Sequence, residues 1–381
     1  MMIDTAQTLA LLQELIRIPS ESSKQTITPA ASPEQAMVDY LHGLFDARGI
    51  ACERQEVWPG RANLIARFPN PGAARLLLVA HLDTVSAAGM ADPFAALIRE
   101  EKVWGRGACD DKGPLATALS TVLQLHDQGK SGPYEVVFAA TVDEECSLAG
   151  AAALKEKVGS WDLCLCLEPT SLRLVKAHKG VYRCRIVCHG KAVHSSAPAL
   201  GKNAILGMME IIDDLQRFGF RLSRHKHPDL GAATLAVTQI HGGASINTIP
   251  DRCEIAVDIR LLPEHHPPMI ESTLQNLIGQ RGTVETLFTA KGMQTAIDNP
   301  LIGDLQAVLQ ANGLPPEPVT AGYATDCSQL HDNGPCLVWG PGHIEQAHQQ
   351  DEHIAISQIE AASQVLAEFL CPHLNPKENK A

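Results

Sequence analysis

Apolar and polar residues alternate in two different ways along this chain. Residues 76–80 (Leu-Leu-Leu-Val-Ala) form an unbroken apolar run, and 134–142 and 163–167 are nearly continuous as well. A strand that is apolar at every position has no wet face, so it belongs in a sheet covered on both sides. Between these runs, apolar residues recur at helical spacing. Leu9, Leu12, Leu15 and Ile16 share one face and stop before Pro19. Met37, Tyr40, Leu41, Leu44 and Phe45 make a second face, with Ser32-Pro33-Glu34 as its start and Gly49 as its end. The Ser- and Thr-rich stretch 20–32 reads as a loop. Further helices are predicted over 113–126 and 147–158, and strands over 51–57, 63–68 and 97–104. Strands alternating with helices predict an α/β fold with a mostly parallel sheet flanked by helices.

The pattern changes after about residue 177. Tyr182, Cys184, Ile186 and Cys188 alternate with Arg183, Arg185 and Val187; Ile255, Val257, Ile259 and Leu261 alternate with Glu254, Ala256, Asp258 and Arg260. Period-two alternation marks a sheet with one wet face, as antiparallel sheets have. Helices fit 203–218 and 268–279. From 300 the chain returns to helix, then to an apolar strand at 336–339 and a last helix at 356–370. The expectation is an inserted α+β domain over 178–290, inside a first domain made of 1–177 and 291–381.

At 381 residues and 45% hydrophobic, the chain can bury a large core, in about two domains. Its 31 basic and 43 acidic residues give a net charge of −12, which argues against nucleic acid and anionic membrane as partners. No apolar run approaches the roughly 20 residues that span a bilayer, and the N-terminus carries no secretory pattern. Eleven cysteines, an odd number scattered through apolar strands, read as reduced thiols of a cytoplasmic protein. Cys164 and Cys166 have the spacing of half a zinc site, but no second pair matches it, so they read as small core residues.

Candidate chemistry gathers where predicted strands end. His81 and Asp83 close the first run, two positions apart and hence on one side of extended chain. Asp110 and Asp111 stand in a glycine-framed turn, 107–113, before a helix. Asp143-Glu144-Glu145 follows the run 134–142; three adjacent carboxylates repel one another and need either solvent or a cation. Alone, that triplet reads as a solvated acidic turn. Glu168 follows the run 163–167, and His348 lies in the loop after 336–339. Ligand sites in open α/β sheets form at the carboxyl edge. Two imidazoles and three carboxylates (His81, Asp110, Glu145, Glu168 and His348) suit a pair of zinc ions sharing one carboxylate. A single zinc would leave ligands over, and calcium or magnesium seldom uses two imidazoles. Glu144 adjoins Glu145 with its side chain diverging, as a general base for metal-assisted hydrolysis would.

Taken together, HLDTV at 81–85, GRGACDDKG at 105–113, DEE at 143–145, EPTSL at 168–172 and GPGHIEQAH at 340–348 resemble the dinuclear zinc amidohydrolases and metallopeptidases. That family includes acetylornithine deacetylase, succinyl-diaminopimelate desuccinylase, aminoacylases and glutamate carboxypeptidases. The resemblance covers nearly the whole chain in the same order. It implies a zinc-exopeptidase-like catalytic domain, an inserted lid that makes a homodimer, and two zinc ions that cobalt replaces. It puts His81, Asp110 and Glu168 on one ion and Glu145, Asp110 and His348 on the other, with Asp110 as bridge. Asp83 would orient His81, and Glu144 would act as base and then acid. AHKG at 177–180, HSSAPALGKNAI at 194–205 and IEQAHQ at 344–349 are most similar to the acetylornithine deacetylase branch. By that resemblance the substrate is N-acetyl-L-ornithine, cleaved to ornithine and acetate in arginine biosynthesis. Other N-acyl amino acids, N-succinyl-diaminopimelate and peptides stay open as alternatives. His194 resembles a lid histidine that reaches a neighbouring subunit's site and steadies an oxyanion. Asn247 and Arg260 resemble groups that grip the substrate carboxylate. Two positions depart from the branch: Gln350 stands where it usually has proline, and Ala324-Thr325-Asp326-Cys327 where it commonly has Thr-Glu-Ala. Asp326 is thus either a partner for a substrate cation or a helix cap.

Overall fold

In the computed structural model, which describes residues 3–22 and 33–372, the apolar strands lie side by side. Tyr134–Thr141, Ala74–His81, Leu163–Cys166 and Cys336–Val338 are adjacent in that order and all parallel. Arg61–Phe68 and Cys52–Trp58 extend the sheet antiparallel beyond Tyr134–Thr141. Val175 pairs antiparallel with Val338 at the other side. Leu76, Leu78 and Ala80 pack into a core shared with Leu12, Met37, Leu119 and Val365 from the helices Thr5–Arg17, Gln35–Asp46, Lys112–Asp127 and Ile356–Leu370. Leu77 and Val79 point the opposite way and are equally buried. Helix Ala149–Val158 packs on the strands of the sheet through Ala151 and Leu154. Burial on both faces is why these strands tolerate almost no polar residue.

Two compact units divide the chain. The sheet above belongs to the first, which runs to residue 176, resumes over 295–319, and continues from 325. The second holds 177–294 and 320–324. Its sheet has the antiparallel order Thr234–Gly242, Arg252–Leu261, Gly180–His189, Gly282–Ala290. Tyr182, Cys184, Ile186, Ile255, Val257 and Ile259 are buried against Met208, Ile211 and Leu274 of helices Ala204–Ser223 and Pro267–Ile278. The period-two pattern is therefore a sheet with helices on one face. Asn203 caps the longer helix by accepting from Ile205 N at 2.9 Å.

Two local expectations meet a different outcome. Ser32 and most of the 20–32 loop lie outside the described residues. The residue that precedes helix Gln35–Asp46 is Glu34, which makes no side-chain cap. Its carboxylate bonds Arg61 instead. The single strand predicted over 97–104 is a hairpin, Leu97–Arg99 with Lys102–Trp104. Glu100 and Glu101 turn it at φ 53° and 54°, the geometry of a two-residue turn with both central residues left-handed. All eleven cysteines are free thiols, most of them buried.

Gly150 lets helix Ala149–Val158 abut the end of strand Tyr134–Thr141. Its amide donates to Val142 O at 3.1 Å, and a Cβ there would lie 2.3 Å from that oxygen and 2.7 Å from Val142 N. Asn63 ties the same junction, donating to Gly150 O at 2.8 Å and accepting from Val142 N at 3.0 Å. Helix propensity alone favours alanine over glycine by about 1 kcal/mol, whereas overpacking against backbone costs about 1–3 kcal/mol. Gly150→Ala is therefore expected to lower stability, read as a lower urea midpoint with unchanged slope. A higher midpoint would show that the junction yields.

Candidate metal centre

The carboxyl ends of the parallel strands deliver the candidate residues to one edge. His81 is the last residue of its strand, the 143–145 triplet follows Thr141, Glu168 follows Cys166, and His348 is in the loop after Val338. Asp110 comes from the turn before helix Lys112–Asp127. It is the hub: Oδ1 lies 2.9 Å from His81 Nε2 and Oδ2 lies 3.3 Å from His348 Nε2. The same His348 nitrogen is 3.1 Å from Glu145 Oε1. His81, Asp110 and Glu145 each offer a ligand atom within 4.8 Å of the other two. Glu168 stands outside that trio; it is buried, and it interacts electrostatically with Asp110, Asp111, His81 and Glu144. Glu144 is half-buried and senses His81, Glu145, Asp326 and Asp110.

Charge in this neighbourhood is badly balanced. Burial, then the charge of Glu145, Asp326 and Asp110, pushes the Glu144 carboxyl well up. Burial with Asp110 and Asp111 does the same to Glu168. Burial and Asp110 also raise Glu145, against the pull of His348. Asp110 is the exception: despite burial, hydrogen bonds from His348 and His81 hold it below its ordinary value. Burial lowers His81, but bonds to Asp110 and Asp83 outweigh it and hold the ring well above its usual range. Asp110 and Glu145 raise His348 to about 10. Acid oxygens and ring nitrogens that compete this way for protons are the donor set a divalent cation satisfies. Each oxygen of Asp110 faces a different imidazole, which fits one carboxylate shared between two ions.

Groups facing away from this centre hold it in place. Asp83 lies against His81 and also ties the acidic turn. Its backbone oxygen is 2.9 Å from His81 Nδ1, with Oδ1 at 3.6 Å. Its carboxylate accepts from the backbone amides of Glu144 at 3.0 Å and Glu145 at 3.1 Å. Asp111 Oδ2 accepts from His81 N at 3.1 Å. Arg61 is buried between Glu34 and Asp143, reaching Glu34 Oε2 at 3.0 Å and Asp143 Oδ1 at 2.9 Å. Asp143 also accepts from the Ser147 hydroxyl. Neither the Arg61 network nor Glu352, which binds the Asp110 turn, stands out in the sequence. The one visible hint was Asp143 beginning the acidic triplet.

Asp326 does not take its expected part as a helix cap. It precedes helix Cys327–Leu330 but makes no side-chain cap, and it is 1% exposed, its Oδ2 accepting from Thr141 Oγ1 at 2.6 Å. Burial pushes its carboxyl up to about 6. Cys164 and Cys166 acquire sulfur neighbours the sequence spacing hides, Cys336 and Cys327. Among the described residues, no three of these sulfurs come together as a metal set.

His194, Asn247 and Arg260 belong to the second unit. His194 pairs with Thr248 across a short antiparallel ladder, and Ser195 N donates to Asn247 O at 2.9 Å. The exposed His194 ring accepts from Ser196 N through Nδ1 at 3.2 Å, so its neutral form carries hydrogen on Nε2. Asn247 Oδ1 accepts from Ser245 Oγ at 2.5 Å. Arg260 Nε is 2.8 Å from Asp258 Oδ1.

Residues 77–371 match the family described as Peptidase family M20/M25/M40. The chain belongs to that family. M20 hydrolases act on amide bonds with metal, and this chain is such an enzyme. It is 32% identical over 364 residues to an acetylornithine deacetylase of Vibrio campbellii, covering 91% of this chain and 94% of that one. An acetylornithine deacetylase of Aliivibrio fischeri is also 32% identical, over 95% of this chain and 97% of its own length. Among solved structures, a tripeptidase from Staphylococcus aureus superposes with a TM-score of 0.77 at 22% identity, covering 98% of this chain and 99% of its own. A dinuclear metal binding M20 peptidase from Bacillus subtilis superposes with a TM-score of 0.70 at 16% identity, covering 97% and 98%. These identities show the fold alone, an α/β sheet flanked by helices. No helix among the described residues is long and apolar enough to cross a membrane.

The Arg61 network gives a test within the M20 scaffold. Removing one partner of a buried charge pair leaves the other unpaired and costs about 3–5 kcal/mol. Arg61→Ala is expected to lose that much in urea unfolding, because buried Asp143 loses its guanidinium partner. A loss under about 1 kcal/mol, the value of an exposed pair, would show that water replaces it.

Proposed function

We propose that this chain is a dinuclear zinc deacylase whose preferred substrate is N-acetyl-L-ornithine. The observation that carries the reaction is Asp110, with one oxygen on each of two imidazoles, beside the adjacent carboxylates Glu144 and Glu145. His81, Asp110 and Glu168 would hold one ion, and Glu145, Asp110 and His348 the other; cobalt can replace zinc at both. When bound, such ions acidify a water and polarise a carbonyl. The half-buried Glu144, next to the proposed ligand Glu145, would take the water's proton and pass it to the departing amine. Asp83 fixes that base by holding the 144 and 145 amides. By the family resemblance, His194 of the partner subunit would offer its Nε2–H to the oxyanion, and Arg260 with Asn247 would offer donors to the substrate carboxylate. Asp326, buried against Thr141, is given no substrate contact.

The substrate reading is supported by 32% identity to acetylornithine deacetylases along almost the whole chain. A homodimer in the cytoplasm is part of the same proposal. Strand Thr234–Gly242 is an edge of its sheet, and Leu206, Met209, Phe220 and Ile240 are exposed on that unit. An open edge with apolar neighbours suits an isologous contact with a second copy.

Zinc- or cobalt-loaded enzyme assayed on N-acetyl-L-ornithine, other N-acetyl amino acids, N-succinyl-diaminopimelate and dipeptides tests the substrate. The expected kcat/KM for N-acetyl-L-ornithine exceeds the rest at least about tenfold, a difference of about 1.4 kcal/mol in transition-state binding. Equal trace rates on all would overturn it. Chelation is expected to abolish hydrolysis and zinc or cobalt to restore it. Glu144→Gln is expected to cut kcat by about 10²–10⁴ with metal content unchanged; an undiminished kcat would remove Glu144 from the mechanism.

A further inference from the structure

Resting on the metal-hydrolase reading above, we infer that Glu352 is a positioning residue that holds the Asp110 turn in its metal-binding geometry. Its carboxylate is 1% exposed and reaches a turn more than 240 residues away in the chain. Oε1 accepts from Cys109 N at 2.9 Å and Asp110 N at 3.0 Å. Oε2 accepts from Gly107 N at 3.0 Å and from the Arg106 guanidinium. The backbone oxygen of Glu352 accepts from Gly105 N at 3.1 Å. One residue therefore satisfies four amides of the 105–110 segment, which has no helix or ladder to satisfy them.

The connection matters because of where Glu352 sits. It follows His348 by four residues and precedes strand His353–Ala355, which pairs with Lys102–Trp104. The two segments are thus stitched on both sides of the turn. His348 meets Asp110 through side chains at 3.3 Å, and Glu352 meets the same Asp110 through its amide. A rotation of the Asp110 peptide would carry both carboxylate oxygens off the two imidazoles at once. Only a carboxylate suits the cradle. It offers acceptors on both oxygens, as three amides and a guanidinium require, and it balances buried Arg106. Glutamine has the same shape but turns an NH₂ toward donors on one side.

Glu352→Gln and Glu352→Asp test this in the full-length protein. Zinc affinity, measured by competition with a chromophoric chelator, is expected to fall about 10–100-fold in Glu352→Gln, the usual loss when a ligand's outer support is removed. Hydrogen exchange of peptides covering 105–111 is expected to quicken at least tenfold, with peptides of 180–290 unchanged. Glu352→Asp keeps the charge beside Arg106 but loses reach, so it is expected to fold and to show a smaller loss of affinity in the same direction. It keeps the test open if the glutamine variant does not fold. Wild-type zinc affinity in both variants, or unchanged exchange at 105–111, would overturn the role of Glu352 alone. A wild-type protein that takes up no zinc would overturn the metal reading and this inference with it.

Discussion

Carboxylates forced together at the end of a buried sheet set the terms for the rest of the first unit. Asp110, Asp111, Glu144, Glu145, Glu168 and Asp326 influence one another's protonation, and all but Asp110 are pushed upward by burial and like charge. His81 and His348 are the cationic groups that enter this balance most directly. Desolvating an ion costs several kcal/mol even after the surroundings relax. A fold gains nothing from such a cluster as a core, and a leucine at any of these positions would pack more cheaply. What makes the cluster sensible is positive charge delivered from outside at the carboxyl edge, where adjacent parallel strands all release their chains.

The charged groups around this edge fall into two kinds. Those facing the centre compete with one another. Those behind it are matched: Asp83 takes two amides, Arg61 sits between Glu34 and Asp143, and Glu352 takes three amides and a guanidinium. A buried charge with all its partners rigidifies what it touches. The matched groups thus fix the turns at 107–110 and 143–145, and the turns in turn fix side chains that would otherwise repel one another apart. The Gln350 departure from proline is absorbed in the same way, since the chain is anchored two residues later by Glu352.

Periodicity carried the reading of the sequence as far as local rules reach. His81, Glu145, Glu168 and His348 could be placed at one edge because each follows an apolar run, and a run apolar at every position can only be a covered strand. Asp110 was visible through its glycine frame. Isolated charges were not legible in this way. Arg61 and Glu34 are 27 residues apart, and nothing local separates them from surface residues. The depth of Asp326 was not legible for the same reason, because depth is a property of the assembled fold. The 97–104 stretch looked like one strand because its apolar ends flank Arg-Glu-Glu-Lys, and a charged turn without glycine gives no signal at short range.

In the function proposed above, hydrolysis and substrate choice rest on different parts of this chain. The M20 fold carries peptidases as well as deacetylases, so the metal edge alone cannot select a leaving group. In the proposed function, selection comes from side chains able to change partners, and the pairing of Arg260 would allow that. It pairs with Asp258 at 2.8 Å, but Asp258 also holds Arg183 Nε at 2.9 Å. All three are partly exposed, and pairs of that kind are worth about 0–1 kcal/mol. Were Arg260 to turn to a substrate carboxylate, as proposed, Asp258 would keep Arg183, so no charge would be stranded and the switch would cost little. A lone Arg–Asp pair would strand its aspartate on every binding event. Under that proposal the second arginine would do for the second unit what matched partners do for the first: it would keep a working charge available.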